Sequence, residues 1–304
     1  MRCDGTEDMT EKFGRLALHT WTIDTTPLGP ALEAIRGAGY DAAELRRTDF
    51  KRCYEAGMTN SDVLEMIKNS GVKVGVLGVE YGWLFATGAE SKRIFEDFHV
   101  SCQNAVALGC PQLMSAPGPY TGSLKDAVGH LRTAADIAAE YGLNLSIEFN
   151  SQHDNLNSVE TQRDLVTAAG KKNVGLLLDA YHLARSGRSG RAFEDVPGED
   201  IMHFQYSDLS PNPVTGVKRP TDRLMPGKGV ILWKELFELL HEKGYTGLLS
   251  FEAPNPEQWN RAPGEVCREG VDLTQELLRS AVPRVRAPNL VNANQSPSMK
   301  VSET

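Results

Sequence analysis

No apolar stretch of the sequence approaches the roughly 20 residues that an α-helix needs to cross a bilayer, so a membrane-spanning protein is not expected. Positive charge is short as well. Against 40 Asp and Glu there are 32 Lys and Arg, leaving a formal net charge of −8. A nucleic-acid partner is not expected on that balance, because such binding draws most of its affinity from cationic contacts to phosphate. Cysteine is sparse. Cys3, Cys53, Cys102, Cys110 and Cys267 are odd in number and scattered, with no C-x-x-C pair; they read as reduced thiols of a cytoplasmic protein. Residues Met1 to Glu11 lack the apolar core of a signal peptide, so export is not expected. A strand-to-helix G-x-G-x-x-G turn is also missing, which removes the usual dinucleotide cradle of a doubly wound sheet.

What the chain does have is alternation. Apolar strand-like runs recur between amphipathic helical stretches, the signature of βα units around a parallel sheet. Eight strands are expected: Arg15 to Trp21, Tyr40 to Leu45, Val72 to Leu77, Gln112 to Ala116, Leu143 to Phe149, Val174 to Leu178, Ile201 to Tyr206 and Gly247 to Phe251. Between them, Ala127, Leu131, Ala134 and Ile137 illustrate the three-and-four spacing of a helix with one buried face. Gly39, Gly71, Gly142 and Gly244 each stand just before a strand, where a left-handed helix cap is needed. Eight such units in 304 residues make an α/β fold, a (β/α)8 TIM barrel. We expect an N-terminal extension over residues 1–13, a catalytic barrel over 14–282, and a mobile tail over 283–304 in which Pro, Asn and Ser follow no period.

Four of the strands end in polar side chains: Ser146-Ile147-Glu148, Leu177-Leu178-Asp179, His203-Phe204-Gln205 and Ser250-Phe251-Glu252. A parallel barrel collects its chemistry at that end of the strands. An unpaired carboxylate beside Leu176-Leu177-Leu178 is costly, so a cation or an arginine is expected near Asp179. Three carboxylates and a carboxamide form a hard, oxygen-rich set that suits one divalent ion, Mn²⁺ or Mg²⁺ first and Co²⁺ next. His182, three residues beyond Asp179, is a candidate acid/base group. His203 and Gln205, two apart on one strand, face the same way.

The series Glu148, Asp179-x-x-His182, His203-x-Gln205-x-x-Asp208 and Glu252, with Arg223-Leu-Met-Pro-Gly-Lys-Gly229 and Gly244-Tyr245-x-Gly247, resembles the xylose-isomerase-like TIM barrels. The resemblance runs from about Gly14 to Ala281. That family of sugar phosphate isomerases and epimerases includes ketose 3-epimerases, inosose-processing enzymes and 3-dehydroshikimate dehydratases. The resemblance implies that Glu148, Asp179, Gln205 and Glu252 are the metal ligands and that Glu148 and Glu252 also transfer protons. Ketose epimerases of this kind usually carry His where this chain has Gln205, whereas some dehydratases carry Gln, which raises the standing of a lyase.

Further substrate contacts are expected from His19 and Glu44 at the ends of the first two strands and from His203 and Asp208. Arg223 before the Pro-Gly turn could clamp a carboxylate or a hydroxyl pair. Trp83, with Tyr81 and Phe85, could cover a sugar ring. Arg185, Arg188 and Arg191 read as a solvated loop rather than a phosphate site. The expected reaction is proton abstraction next to the carbonyl of a small carbohydrate or keto-acid. It gives isomerisation or epimerisation, or alternatively loss of a β-hydroxyl with His182 serving the departing oxygen. An endonuclease-like phosphodiesterase would need more histidines and a basic face, and a non-catalytic sugar-binding barrel would not need so costly an acidic cluster. Self-association into a homo-oligomer is left open by the sequence.

Overall fold

The computed structural model describes residues 13–282. Eight parallel strands close on themselves in sequence order: β1 (Leu16–His19), β2 (Ala42–Leu45), β3 (Val74–Gly78), β4 (Gln112–Ser115), β5 (Asn144–Glu148), β6 (Val174–Asp179), β7 (Ile201–Tyr206) and β8 (Leu249–Phe251). Around them run α1 (Leu28–Ala38), α2 (Arg47–Glu55), α3 (Asn60–Asn69), α4 (Gly88–Ala107), α5 (Leu124–Glu140), α6 (Val159–Ala169), α7 (Ala180–Arg185), α8 (Trp233–Glu242), α9 (Pro256–Trp259) and α10 (Pro263–Ala281). This is the (β/α)8 barrel that the alternation predicts. No helix among the described residues is long and apolar enough to cross a membrane.

Every expected strand has its counterpart, and the ends differ for local reasons. The first strand stops at His19 rather than Trp21, because the His19 Nδ1 accepts the Trp21 N–H and turns Thr20–Ile23 into a 3-10 helix. The helices form as their spacing predicts. In α5, Ala127, Leu131, Ala134 and Ile137 are all buried, and Ser123 caps the first turn by accepting from the Lys125 N–H. At the end of α1, Gly39 takes φ 86° and donates its N–H to the carbonyls of Arg36 and Ile35, a backbone position that a Cβ would strain. Phe13 is buried and meets the His241 ring edge-on at 5.3 Å, so it is part of the barrel's core rather than of an extension. The remainder of the expected N-terminal extension and the 283–304 tail lie outside the described residues.

Between the barrel and its helices lies a continuous apolar layer, while Val76, Met114 and Leu177 form a small separate cluster inside the barrel itself. Polar side chains fill the rest of the interior: His19 is in register with Glu44, and Asp179 with Gln205.

Candidate active site

The strand ends of β5, β6 and β8 deliver Glu148, Asp179 and Glu252 to one mouth of the barrel, all buried. Single ligand atoms of Glu148, Asp179 and His182 lie within 4.8 Å of one another. Asp179 also caps α7, its Oδ1 accepting the Tyr181 N–H at 2.9 Å, so the strand-to-helix turn holds the carboxylate in place. Its other oxygen, Oδ2, lies 2.6 Å from Nη1 of Arg223, which also reaches Oε2 of Glu252 at 2.8 Å. The arginine anticipated beside the apolar β6 run is therefore present. It arrives on the long segment between β7 and α8. There Leu224 pairs with Asp208 as an antiparallel bridge, and Asn255 Nδ2 donates to the Arg223 carbonyl at 3.0 Å.

Charge crowding shapes the protonation of this cluster. Burial, followed by the negative charges of Glu252 and Asp179, holds the Glu148 carboxyl well above the usual carboxylate range. Asp179 is pushed up to about 6, mainly by burial, against the pull of Arg223. Burial and then the cations Arg223 and Arg185 hold His182 well below its ordinary value, so the imidazole is neutral. Its Nδ1 lies 2.9 Å from Ser151 Oγ. The Ser151 backbone N–H also donates to Nδ1 at 3.3 Å, so Ser151 fixes the ring and turns Nε2 toward Arg223 Nη2 at 3.3 Å and Glu148 Oε1 at 3.7 Å. His19 Nδ1 sits 3.3 Å from Glu252 Oε1.

Gln205 stands beside Asp179 in register, and its Nε2 donates to Glu44 Oε1 at 2.8 Å. Its carbonyl oxygen is buried without a partner, as is Oε1 of Glu148. Two orphaned oxygens beside a carboxylate cluster are what an oxygen-liganded cation would satisfy.

A cavity of about 290 Å³ opens over the cluster, lined by His19, Tyr81, Glu148, His182, Arg223 and Glu252 and rimmed by Trp21, Arg46, Lys218 and Arg219. A larger cavity of about 590 Å³ opens around Arg15, Asp41, Lys73 and Gly247, at the starts of the strands. It gathers no comparable group of carboxylates, and in barrels that end carries stability rather than chemistry.

Four residues anticipated as substrate contacts are placed elsewhere. Glu44 is fully buried behind the mouth, holding Gln205 and, through Oε2 at 2.9 Å, the Nε2 of His203. Burial opposes its charge, yet His203 and His19 hold it at about 2, so it stays a carboxylate. His203 is correspondingly interior. Asp208 is consumed by the β7–α8 segment, accepting from the N–H groups of Leu209 and Ile231 and from Trp233 Nε1 at 2.8 Å. Trp83 packs on Phe98 and Phe95 and donates Nε1 to Ser115 Oγ at 3.0 Å, so it builds the core and covers no ring. Of the three aromatics after β3, Tyr81 lines the cavity. Arg188 and Arg191 are spent on Asp195, Glu160, Glu194 and Glu242, in keeping with a solvated loop.

Trp21 and Arg219 are rim residues that the sequence did not single out; they come from a 3-10 turn and a loop, where no periodicity marks direction. The Arg219 guanidinium stacks over the Trp21 ring at 4.4 Å.

A family model described as the xylose isomerase-like TIM barrel matches residues 32–277. The chain is 26% identical to an inosose isomerase of Halalkalibacterium halodurans, covering 84% of this chain and 93% of that protein. It is 24% identical to the D-psicose 3-epimerase of Agrobacterium fabrum over 77% of this chain and 81% of that protein. It is also 28% identical to the 3-dehydroshikimate dehydratase of Pseudomonas aeruginosa, over 74% of this chain but 36% of that longer protein. Among solved structures, the IolI protein with a bound zinc atom superposes with a TM-score of 0.78 at 22% identity, covering 88% of this chain and 99% of that one.

Proposed function

The chain belongs to the xylose isomerase-like TIM barrel family, and on that premise we propose that it is a divalent-metal-dependent isomerase or epimerase of a small keto-polyol. It would act by proton transfer at the carbon next to the carbonyl. The observation that carries this reading is the placement of two carboxylates from strands three apart on the closed barrel, Glu148 and Glu252, in one cavity with a neutral imidazole. A cavity near 290 Å³ fits one sugar or cyclitol ring rather than a chain of them.

A divalent cation held by Glu148, Asp179, Gln205 and Glu252 would polarise the carbonyl and its neighbouring hydroxyl and so acidify the adjacent C–H. Gln205 makes the set harder than one with an imidazole, favouring Mn²⁺ or Mg²⁺ over Zn²⁺. Glu252, steadied by Arg223, removes the proton. Glu148, across the cavity from Glu252, returns one from the other side. His182 turns Nε2 to the same space, within reach of a substrate hydroxyl, while Ser151 holds its ring. Arg223 directs its guanidinium at an oxygen of the substrate and keeps Asp179 and Glu252 from repelling each other.

A second reading, dehydration of a keto-acid, is favoured by Arg219. It faces the cavity with its charge stacked on Trp21, and none of the described carboxylates forms an ion pair with it, so a substrate carboxylate would complete it. The test is a proton-exchange screen in D₂O with Mn²⁺, offering inososes, ketoses and 3-keto acids. Deuterium entering a recovered keto-polyol, and its disappearance in Glu252→Gln, supports the isomerase; loss of water from a keto-acid supports the second reading. Exchange that persists in Glu252→Gln removes the assignment of the base.

A further inference from the structure

Glu44 does not line the cavity, yet it is as completely enclosed as Asp179 of the site itself. Each of its oxygens is committed to a different β7 side chain, Oε1 to Gln205 Nε2 at 2.8 Å and Oε2 to His203 Nε2 at 2.9 Å. We propose that Glu44 is a positioning residue that locks the Gln205 carboxamide with its oxygen turned toward Asp179 and Glu148, making an otherwise ambivalent amide a cation ligand. This rests on the reading of Gln205 as one of the metal-holding groups.

The argument is one of donors and acceptors. A carboxamide presents two chemically opposite ends, an oxygen that accepts and an NH₂ that donates, and only the oxygen binds a cation. A side chain free to turn would offer the wrong end half of the time, and two N–H groups aimed at a cation repel it. A carboxylate can only accept, so the NH₂ of Gln205 is drawn to Glu44 and the oxygen must point away. It is that oxygen which is buried without a partner. His203 occupies the other oxygen of Glu44, so the carboxylate has no freedom to rotate away from Gln205. The β-ladder adds the final constraint, because Gln205 is in register with Asp179, whose carboxylate belongs to the same cluster as Glu148. A ligand His fixed by a neighbouring carboxylate is a familiar device in metal sites; here the same logic is applied to an amide.

The test uses the purified full-length protein, stripped with EDTA, and measures Mn²⁺ affinity by calorimetry and by loss of the free-ion electron paramagnetic resonance signal. In Glu44→Gln the new amide can donate as well as accept, Gln205 can turn, and Mn²⁺ affinity falls about 10- to 100-fold. The exchanged pair Glu44→Gln with Gln205→Glu separates positioning from bulk structure. There the amide at 44 donates to the carboxylate at 205, whose second oxygen faces the cluster, and affinity returns to within about tenfold of the parent, a recovery that a merely structural Glu44 would not produce. Unchanged Mn²⁺ affinity in a folded Glu44→Gln overturns the proposal while leaving the metal reading intact, provided Asp179→Asn abolishes binding. Should Glu44→Gln fail to fold, the exchanged pair decides: folded with binding supports the proposal, folded without binding overturns it. A parent protein that takes up no divalent ion removes the metal reading, and the role of Glu44 falls with it.

Discussion

Nη1 of Arg223 lies 2.6 Å from Oδ2 of Asp179 with both side chains buried at the barrel mouth, so the strongest cation of the site is built in and is spent on an acid that the fold has just desolvated. The same nitrogen reaches Glu252. Buried acids and a buried guanidinium therefore stand or fall together.

Removing that guanidinium tests the balance. Arg223→Met leaves Asp179 and Glu252 without their cation beside an already crowded Glu148. We expect a loss of about 3–5 kcal/mol in urea melts run in EDTA. Adding Mn²⁺ should then stabilise the variant more than the parent, because the ion replaces the missing charge. A variant melting within about 1 kcal/mol of the parent in EDTA would contradict the compensating role.

Metal occupancy should be visible as stability. Mn²⁺ at about 100 times its Kd is expected to stabilise the stripped protein by about 2.7 kcal/mol. Asp179→Asn should abolish the gain in thermal melts, because it removes charge from the centre of the cluster. Equal stabilisation of parent and variant would place the ion elsewhere.

Asp208 offers a test of how the Arg223 segment is held. Its carboxylate satisfies two backbone N–H groups and the Trp233 indole, all at the base of that segment. Asp208→Ala should cost about 1–3 kcal/mol, since buried donors lose their acceptor. Turnover of the identified substrate should fall with it through a raised KM as Arg223 loosens, which steady-state kinetics beside the melts would show. An unaltered KM would mean that the segment is held without Asp208.

The cysteines predict a pH effect. Burial pushes the thiols of Cys102, Cys110 and Cys267 up to about 12. At pH 8 only on the order of 10⁻⁴ of each is thiolate. Maleimide labelling followed by peptide mass spectrometry should leave all three unmodified in the native protein and modify them in urea. In the unfolded chain these thiols ionise near their ordinary value of 9.0, whereas the folded protein keeps their protons. Stability should therefore decline as pH rises above about 9. Rapid native labelling would show that the shell around them opens.

Much of this molecule could be read along the chain. The eight strands stand out because each is a short apolar run between helices whose buried faces recur every three or four residues, and burial is what both patterns report. Glu148, Asp179 and Glu252 were legible for a related reason: an acid directly after an apolar run has one place to go in a parallel barrel, its open mouth. Glu44 has the same signature, Ala42-Ala43-Glu44, and a different place. Its side chain points inward at a level where the closing barrel brings β7 against it, and that level depends on the stagger between strands, which no single strand encodes. Trp83 was misplaced by a similar ambiguity, since an aromatic in a βα loop can cover a ligand or plug the gap over a helix, and α4 supplies Phe95 and Phe98 to receive it.

By itself the sequence determined the barrel, the direction of its strands and the acids at their ends, because hydrophobic periodicity and the cost of burying a charge act locally along the chain. Tertiary structure alone decided which acid Arg223 neutralises, which nitrogen of His182 faces the cavity and which end of Gln205 is free. Those outcomes depend on groups far apart in the chain meeting at about 3 Å, where a donor or an acceptor on one side dictates what its neighbour must present to the other.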